Sequence, residues 1–168
     1  FYFLGTSRFL EDIGTPHATI PGLMSVAQAA QVVAMAVILP LVFRRIGYQW
    51  TLAAATLMWV VMFVTYARMK PRFAVIASMA LHGLAYAFFF DAGFIYMNRV
   101  APPEIRASAQ ALYTTVTIGL GLFAGTQLTG VVMDRCRTES GFRWRPIFLF
   151  PCALLTVCMF AFILLFKG

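Results

Sequence analysis

Charge is what this sequence has least of: Asp, Glu, Lys and Arg make up 11% of its 168 residues, where soluble globular domains carry about 25%. That scarcity excludes a disordered chain and argues against a water-soluble fold. Cysteine is limited to Cys136, Cys152 and Cys158, which lack metal-ligand spacing and make no disulfide framework. There is no Gly-rich P-loop, so the energy of any transport would come from an ion gradient rather than from ATP. Neither a nucleophile–base pair nor a metal cluster can be picked out, so no enzyme, cofactor or metal is expected. The chain opens on Phe1 with no charged leader segment or cleavage site, and it reads as a piece whose beginning is missing.

What is present is apolar: 61% of residues are hydrophobic and the mean hydropathy is +0.83. A helix needs about 20 mostly apolar residues to cross a bilayer, which leaves room here for several spans with short connections. The formal charge of +7 raises the possibility of nucleic-acid binding. The cations, however, sit in short clusters between apolar runs (Arg44-Arg45, Arg68/Lys70/Arg72, Arg135/Arg137, Arg143/Arg145). Membrane loops are built this way, so the expected partner is the lipid bilayer and not a nucleic acid.

Residues 1–10 look like the tail of a helix. Complete spans are expected at about 20–43, 50–67, 73–97, 107–133 and 146–166. The first is stopped by Arg44-Arg45-Ile46-Gly47 and the third by Asn98-Arg99 and the Pro102-Pro103 break. Only the stretch 134–145 is longer than a few residues, and no strand-period pattern is evident. The prediction is one all-α membrane domain over 1–168, with sequential helices antiparallel.

Five of the six acidic residues fall in or beside loops; Asp91 alone lies within a span. A carboxylate there costs about 3 kcal/mol on insertion scales, so it should face a cavity or a partner. It is the candidate for exchanging a proton during transport, against the plainer role of a packing carboxylate satisfied by neighbouring groups. Tyr86 and Phe90, four apart, share a helix face beside it. Rings next to an acid suit a flat polar ligand, although aromatic runs also face lipid. His82 could relay protons or be hydrogen-bonded between helices. In the first complete span Gln28 and Gln31 share a face, with Ser25 a turn earlier. Two amides suit base edges or sugar hydroxyls, or they could join helices. Thr117, Gly121, Gly125 and Thr129, spaced by four, form a ridge of small residues for close packing.

The strings "FYFLGTSRFLEDIG", "SVAQAAQVVAMAVILPLVFRRIGYQW" and "LHGLAYAFFFDAGFIYMNRVAPPEIRASAQALYTTVTIGLGLFAGTQLTGVVMD", with the final apolar span, resemble the second half of the nucleoside:proton symporter family of the major facilitator superfamily. The resemblance covers nearly the whole chain, from the end of a seventh helix through a twelfth. It implies a six-helix C-terminal bundle that pairs with an N-terminal one, absent here, and works by alternating access. It places substrate contacts at Gln28, Tyr86, Phe90 and Asp91. A family glutamate falls on Gln31, which removes a carboxylate and shifts the expected proton coupling toward Asp91 or the absent half.

The function so implied is import of nucleosides with protons across the cytoplasmic membrane. The alternatives are another small solute (a sugar, an aromatic acid or a drug) or a membrane scaffold that transports nothing. Orientation is read in two ways. Arg44, Arg45, Arg99, Arg106 and Lys167 lie on one side and the other eight Lys and Arg on the other; counting alone puts the eight in the cytoplasm. The resemblance puts the 44–45 loop, the 98–106 loop and the C-terminus there, and we take it as the expectation because the count lacks any preceding helices.

Overall fold

The computed structural model describes residues 1–139 and 141–165; Lys167 and Phe166, expected as a loop cation and a span end, lie outside them. Helix α1 (Tyr2–Asp12) is followed by a 3-10 turn, His17–Thr19, and α2 (Ile20–Val33), whose Pro21 occupies the first turn, where a missing N–H breaks no helical bond. A wide π turn, Ala34–Ile38, joins α2 to α3 (Leu39–Arg68).

The helical run from His17 to Arg68 has 52 residues, more than twice what a bilayer requires. Gly47 divides it. Its φ of 73° and ψ of −177° belong to a region that only glycine enters without strain. Helix stands on both sides of Gly47, and both flanks pack against the next helix. Leu39 and Ala55 lie in one buried cluster with Ala85, Ala87 and Phe88, so the chain folds back at Gly47 and helix resumes at Tyr48 without a loop.

Helix α4 (Arg72–Tyr86) passes through a π turn, Ala87–Asp91, into α5 (Ala92–Val100). A 3-10 turn, Pro103–Ile105, leads to α6 (Arg106–Thr114), which a third π turn, Thr115–Leu120, joins to α7 (Gly121–Arg135). The last helix is α8 (Trp144–Leu165). The sequence reading found no strand, but β1 (Arg137–Thr138) and β2 (Gly141–Phe142) pair antiparallel, Arg137 opposite Phe142. Strands of two residues are too short to show a period. Among the described residues, four helical runs are long and apolar enough to cross a membrane, the first of them being the one folded at Gly47.

Two buried clusters hold the bundle. At the end where α1 stops, Phe9 packs edge-on against Phe148 of α8 at 4.8 Å and stacks on Tyr66 of α3 at 5.2 Å. The Trp144 indole donates to Asp12 Oδ2 at 2.9 Å, tying α1 to α8. At the other end Gln49 Nε2 donates to the Ile163 carbonyl at 2.7 Å, satisfying a helix-terminal acceptor. The second cluster is alanine-rich, with Ala34, Ala55, Ala85, Ala87 and Ala92 buried around Phe88. Small side chains let helix backbones approach closely. The closest approach is at Gly83 of α4, where a Cβ would overlap the Ala27 carbonyl of α2.

Gly83→Val is therefore expected to lower the thermal midpoint of the purified protein by the equivalent of roughly 1–3 kcal/mol of overpacking. Gly125→Ala, where a Cβ meets open space, is expected to leave the midpoint unchanged or slightly raised. Thermal unfolding followed in detergent checks both.

Candidate functional site

The Ala87–Asp91 π turn falls in the middle of the Arg72–Val100 helix. A π turn widens the helix by one residue. The Tyr113 hydroxyl of α6 docks on it, lying 3.3 Å from the Phe89 carbonyl and 3.5 Å from that of Phe90. Its ring lies so close to Gly93 that a Cβ there would overlap it. Gly93 thus admits Tyr113, and Tyr113 clamps the widened turn. Sequence reasoning missed this residue, because a lone tyrosine on another helix carries no spacing signal that points to a carbonyl 23 residues back.

Tyr86 and Phe90 meet as the i, i+4 spacing predicts, with ring centroids 4.4 Å apart and planes inclined by 39°. Both line a cavity of 380 Å³ between α1, α3, the 72–100 helix, α7 and α8. His82 lines it as well. Trp59 Nε1 donates to His82 Nδ1 at 3.0 Å, so the neutral ring carries its proton on Nε2. This is the interhelical bond that was one of the two expectations for His82. Tyr2 stacks on the imidazole, with centroids 3.7 Å apart and planes at 12°. The cavity is therefore walled by ring faces, with few polar tips.

Asp91 is half-buried and does not line the cavity. Its Oδ2 is fully buried and has no hydrogen-bond partner among the described residues. Tyr86 and Tyr113 both lie within electrostatic reach of the carboxyl.

The glutamines stand apart from this group. Gln28 is exposed and Gln31 half-buried on α2; neither borders the cavity. The Gln31 backbone nitrogen lies 2.7 Å from where a Gly83 Cβ would stand, so α2 carries both amides past the face of α4. No side-chain hydrogen bond joins either amide to another helix among the described residues. Ser25 donates to the Gly22 carbonyl at 2.6 Å. In the ridge of small residues, Thr117 and Thr129 donate within their own helix, to Tyr113 and Gly125 carbonyls, while Gly121 lines the cavity. Among the described residues no three His, Cys, Asp or Glu side chains gather as a metal site.

A cavity walled by aromatic rings can hold a planar heterocycle against ring faces, and the half-buried Asp91 follows Phe90 directly in the chain, one step round the helix from that wall. The chain is 27% identical over 163 residues to nucleoside permease NupG of Escherichia coli (strain K12), covering 95% of this chain and 38% of that protein. It is 27% identical over 151 residues to the xanthosine permease of the same organism, covering 88% of this chain and 35% of that protein. The crystal structure of nucleoside transporter NupG superposes with a TM-score of 0.79 at 26% identity, over 90% of this chain and 38% of that one. A mutant of the same transporter gives a TM-score of 0.81 at 27% identity. The chain thus spans well under half the length of these relatives, and it takes the helical architecture of a major facilitator transporter. The family model described as nucleoside H+ symporter matches residues 1–168 without interruption, the π-turn helix with its aromatic slot included, and the chain belongs to that family.

Proposed function

We propose that the protein moves nucleosides across the cytoplasmic membrane, driven by protons, and that residues 1–168 form one transmembrane bundle which works against a second bundle by alternating access. Tyr86 and Phe90 take the flat base or ribose between ring and wall. Asp91 accepts from a ribose hydroxyl and exchanges the coupling proton, and Gln28 and Gln31 supply amide donors and acceptors from α2. The reversal at Arg44-Arg45 and Gly47, the 98–106 connection and the C-terminus face the cytoplasm in this reading. The observation that carries it is the contacting Tyr86–Phe90 pair on the wall of the aromatic cavity, on the helix that bears the one acid within a span, Asp91.

Gln31 sets the expectation for coupling. Symport in which a single carboxylate both binds the sugar and carries the proton makes the two events compete or coincide at Asp91. A second carboxylate at position 31, on α2, would separate them.

Labelled uridine and adenosine uptake by the full-length protein in proteoliposomes tests the proposal. Uptake is expected to accelerate under an inward proton gradient and to fall to background in Asp91→Asn. Folded protein that takes up neither nucleoside would overturn the cargo; uptake indifferent to the gradient would overturn the coupling. Gln31→Glu is expected to steepen the dependence of uptake on external pH, read from initial rates across a pH series.

A further inference from the structure

One end of the bundle carries cations that the chain itself leaves without counter-charge. Arg68 closes α3, Lys70 and Arg72 lie at the connection to α4, and Arg145 is the second residue of α8. All four are exposed. Among the described residues the ion pairs at this end join Arg8 and His17 to Glu11 and Asp12, and none involves the four. The acid that borders the same cleft, Asp12, is already engaged, by Trp144 Nε1 at 2.9 Å and by Arg8 Nε at 3.4 Å. Neither α4 nor α8 has an acidic residue in its first turn, so Arg72 and Arg145 stand where the helix dipole disfavours a cation.

Two clefts meet at Arg68. One, of 560 Å³, is bordered by Asp12, Arg68, Lys70 and Arg72. The other, of 360 Å³, has Arg68 and Arg145 at its rim and Val64, Ala67 and Leu149 along its wall. That wall continues into the outward faces of the two helices, where Val61 of α3 is 46% exposed and Leu149 of α8 is 43% exposed. The arrangement is therefore a cationic rim over an apolar groove, at the end of a membrane-spanning helix pair.

We propose that this cleft binds an anionic phospholipid, with its phosphate across Arg68 and Arg145, Lys70 and Arg72 completing the positive rim, and an acyl chain along Val64, Ala67 and Leu149. Charge selects the headgroup: four uncompensated cations favour a net negative lipid over a zwitterionic one. The groove selects a lipid over a free anion, since inorganic phosphate gains nothing from an apolar wall. An occupant of this kind also offsets the dipole penalty at the starts of α4 and α8. The site lies apart from the aromatic slot, so it holds whatever solute the protein carries.

The test is lipid binding to the full-length protein by native mass spectrometry and thermal shift, with phosphatidylglycerol, phosphatidylcholine and inorganic phosphate as separate arms. Phosphatidylglycerol is expected to be retained and to raise the thermal midpoint, with the other two weaker. At about the strength of two cation contacts, Arg68→Gln with Arg145→Gln should weaken phosphatidylglycerol binding roughly 30-fold. Arg44→Gln with Arg45→Gln, beside the reversal at Gly47, should leave it unchanged. Leu149→Trp, which fills the groove and keeps all four cations, should also lower retention. Equal retention of phosphatidylcholine, equal protection by inorganic phosphate, or binding unaffected by the Arg68 and Arg145 pair would each overturn the proposal.

Discussion

The close crossing of α2 and α4 at Gly83 is the constraint on which the arrangement of this bundle depends. With no side chain at Gly83, the α4 backbone comes directly against the Ala27 carbonyl and the Gln31 nitrogen. The alanines around Phe88 extend that contact along the 72–100 helix. Two helices held backbone to backbone cannot rotate freely about their axes, and this fixes which residues of each face the interior. On α4 it directs His82, Tyr86 and Phe90 to the cavity. On α2 it places Gln28 and Gln31 beside the same helix. In a membrane, where lipid tails are as apolar as the side chains, such packing supplies much of the association that the hydrophobic effect supplies in water.

The second organising feature is a deliberate irregularity. The helix that bears Phe90 and Asp91 is widened at those residues, and the Tyr113 hydroxyl docks on the Phe89 and Phe90 carbonyls. Asp91, at the end of the widened turn, has one oxygen buried and unpartnered among the described residues, which is costly for a carboxylate. Phe90, Asp91 and the tyrosine from a neighbouring helix thus meet at one local departure from regular helix geometry.

Much of this was legible in the sequence. Apolar run length marked the helices, the arginines and Gly47 marked the reversal, and the i, i+4 spacing of Tyr86 and Phe90 gave their contact. Asp91 stood out by being the one acid inside a span. Other features were hidden for stated physical reasons. The hairpin at Arg137–Phe142 is too short for a period. The Trp59–His82 bond and the Tyr113 clamp are tertiary pairings between separate helices, which spacing within one helix does not reveal. The π turns carry the same apolar, β-branched and small residues as the helices around them, so composition does not mark them. The separation of Gln28 and Gln31 from the cavity wall likewise depends on how α2 is rotated against α4, and one helix read by itself cannot give that rotation.

The central claim is that Tyr86 and Phe90 form a single binding slot for the solute. Equilibrium uridine binding to the purified full-length protein, measured for Tyr86→Ala, Phe90→Ala and the double variant, tests it most directly. Loss of one ring face should weaken binding by about tenfold or more. Because the rings act as one slot, the double variant should cost clearly less than the product of the two single effects. Strictly multiplicative losses would show two independent contacts, and unchanged affinity in both single variants would show that the solute binds elsewhere; either result contradicts the account.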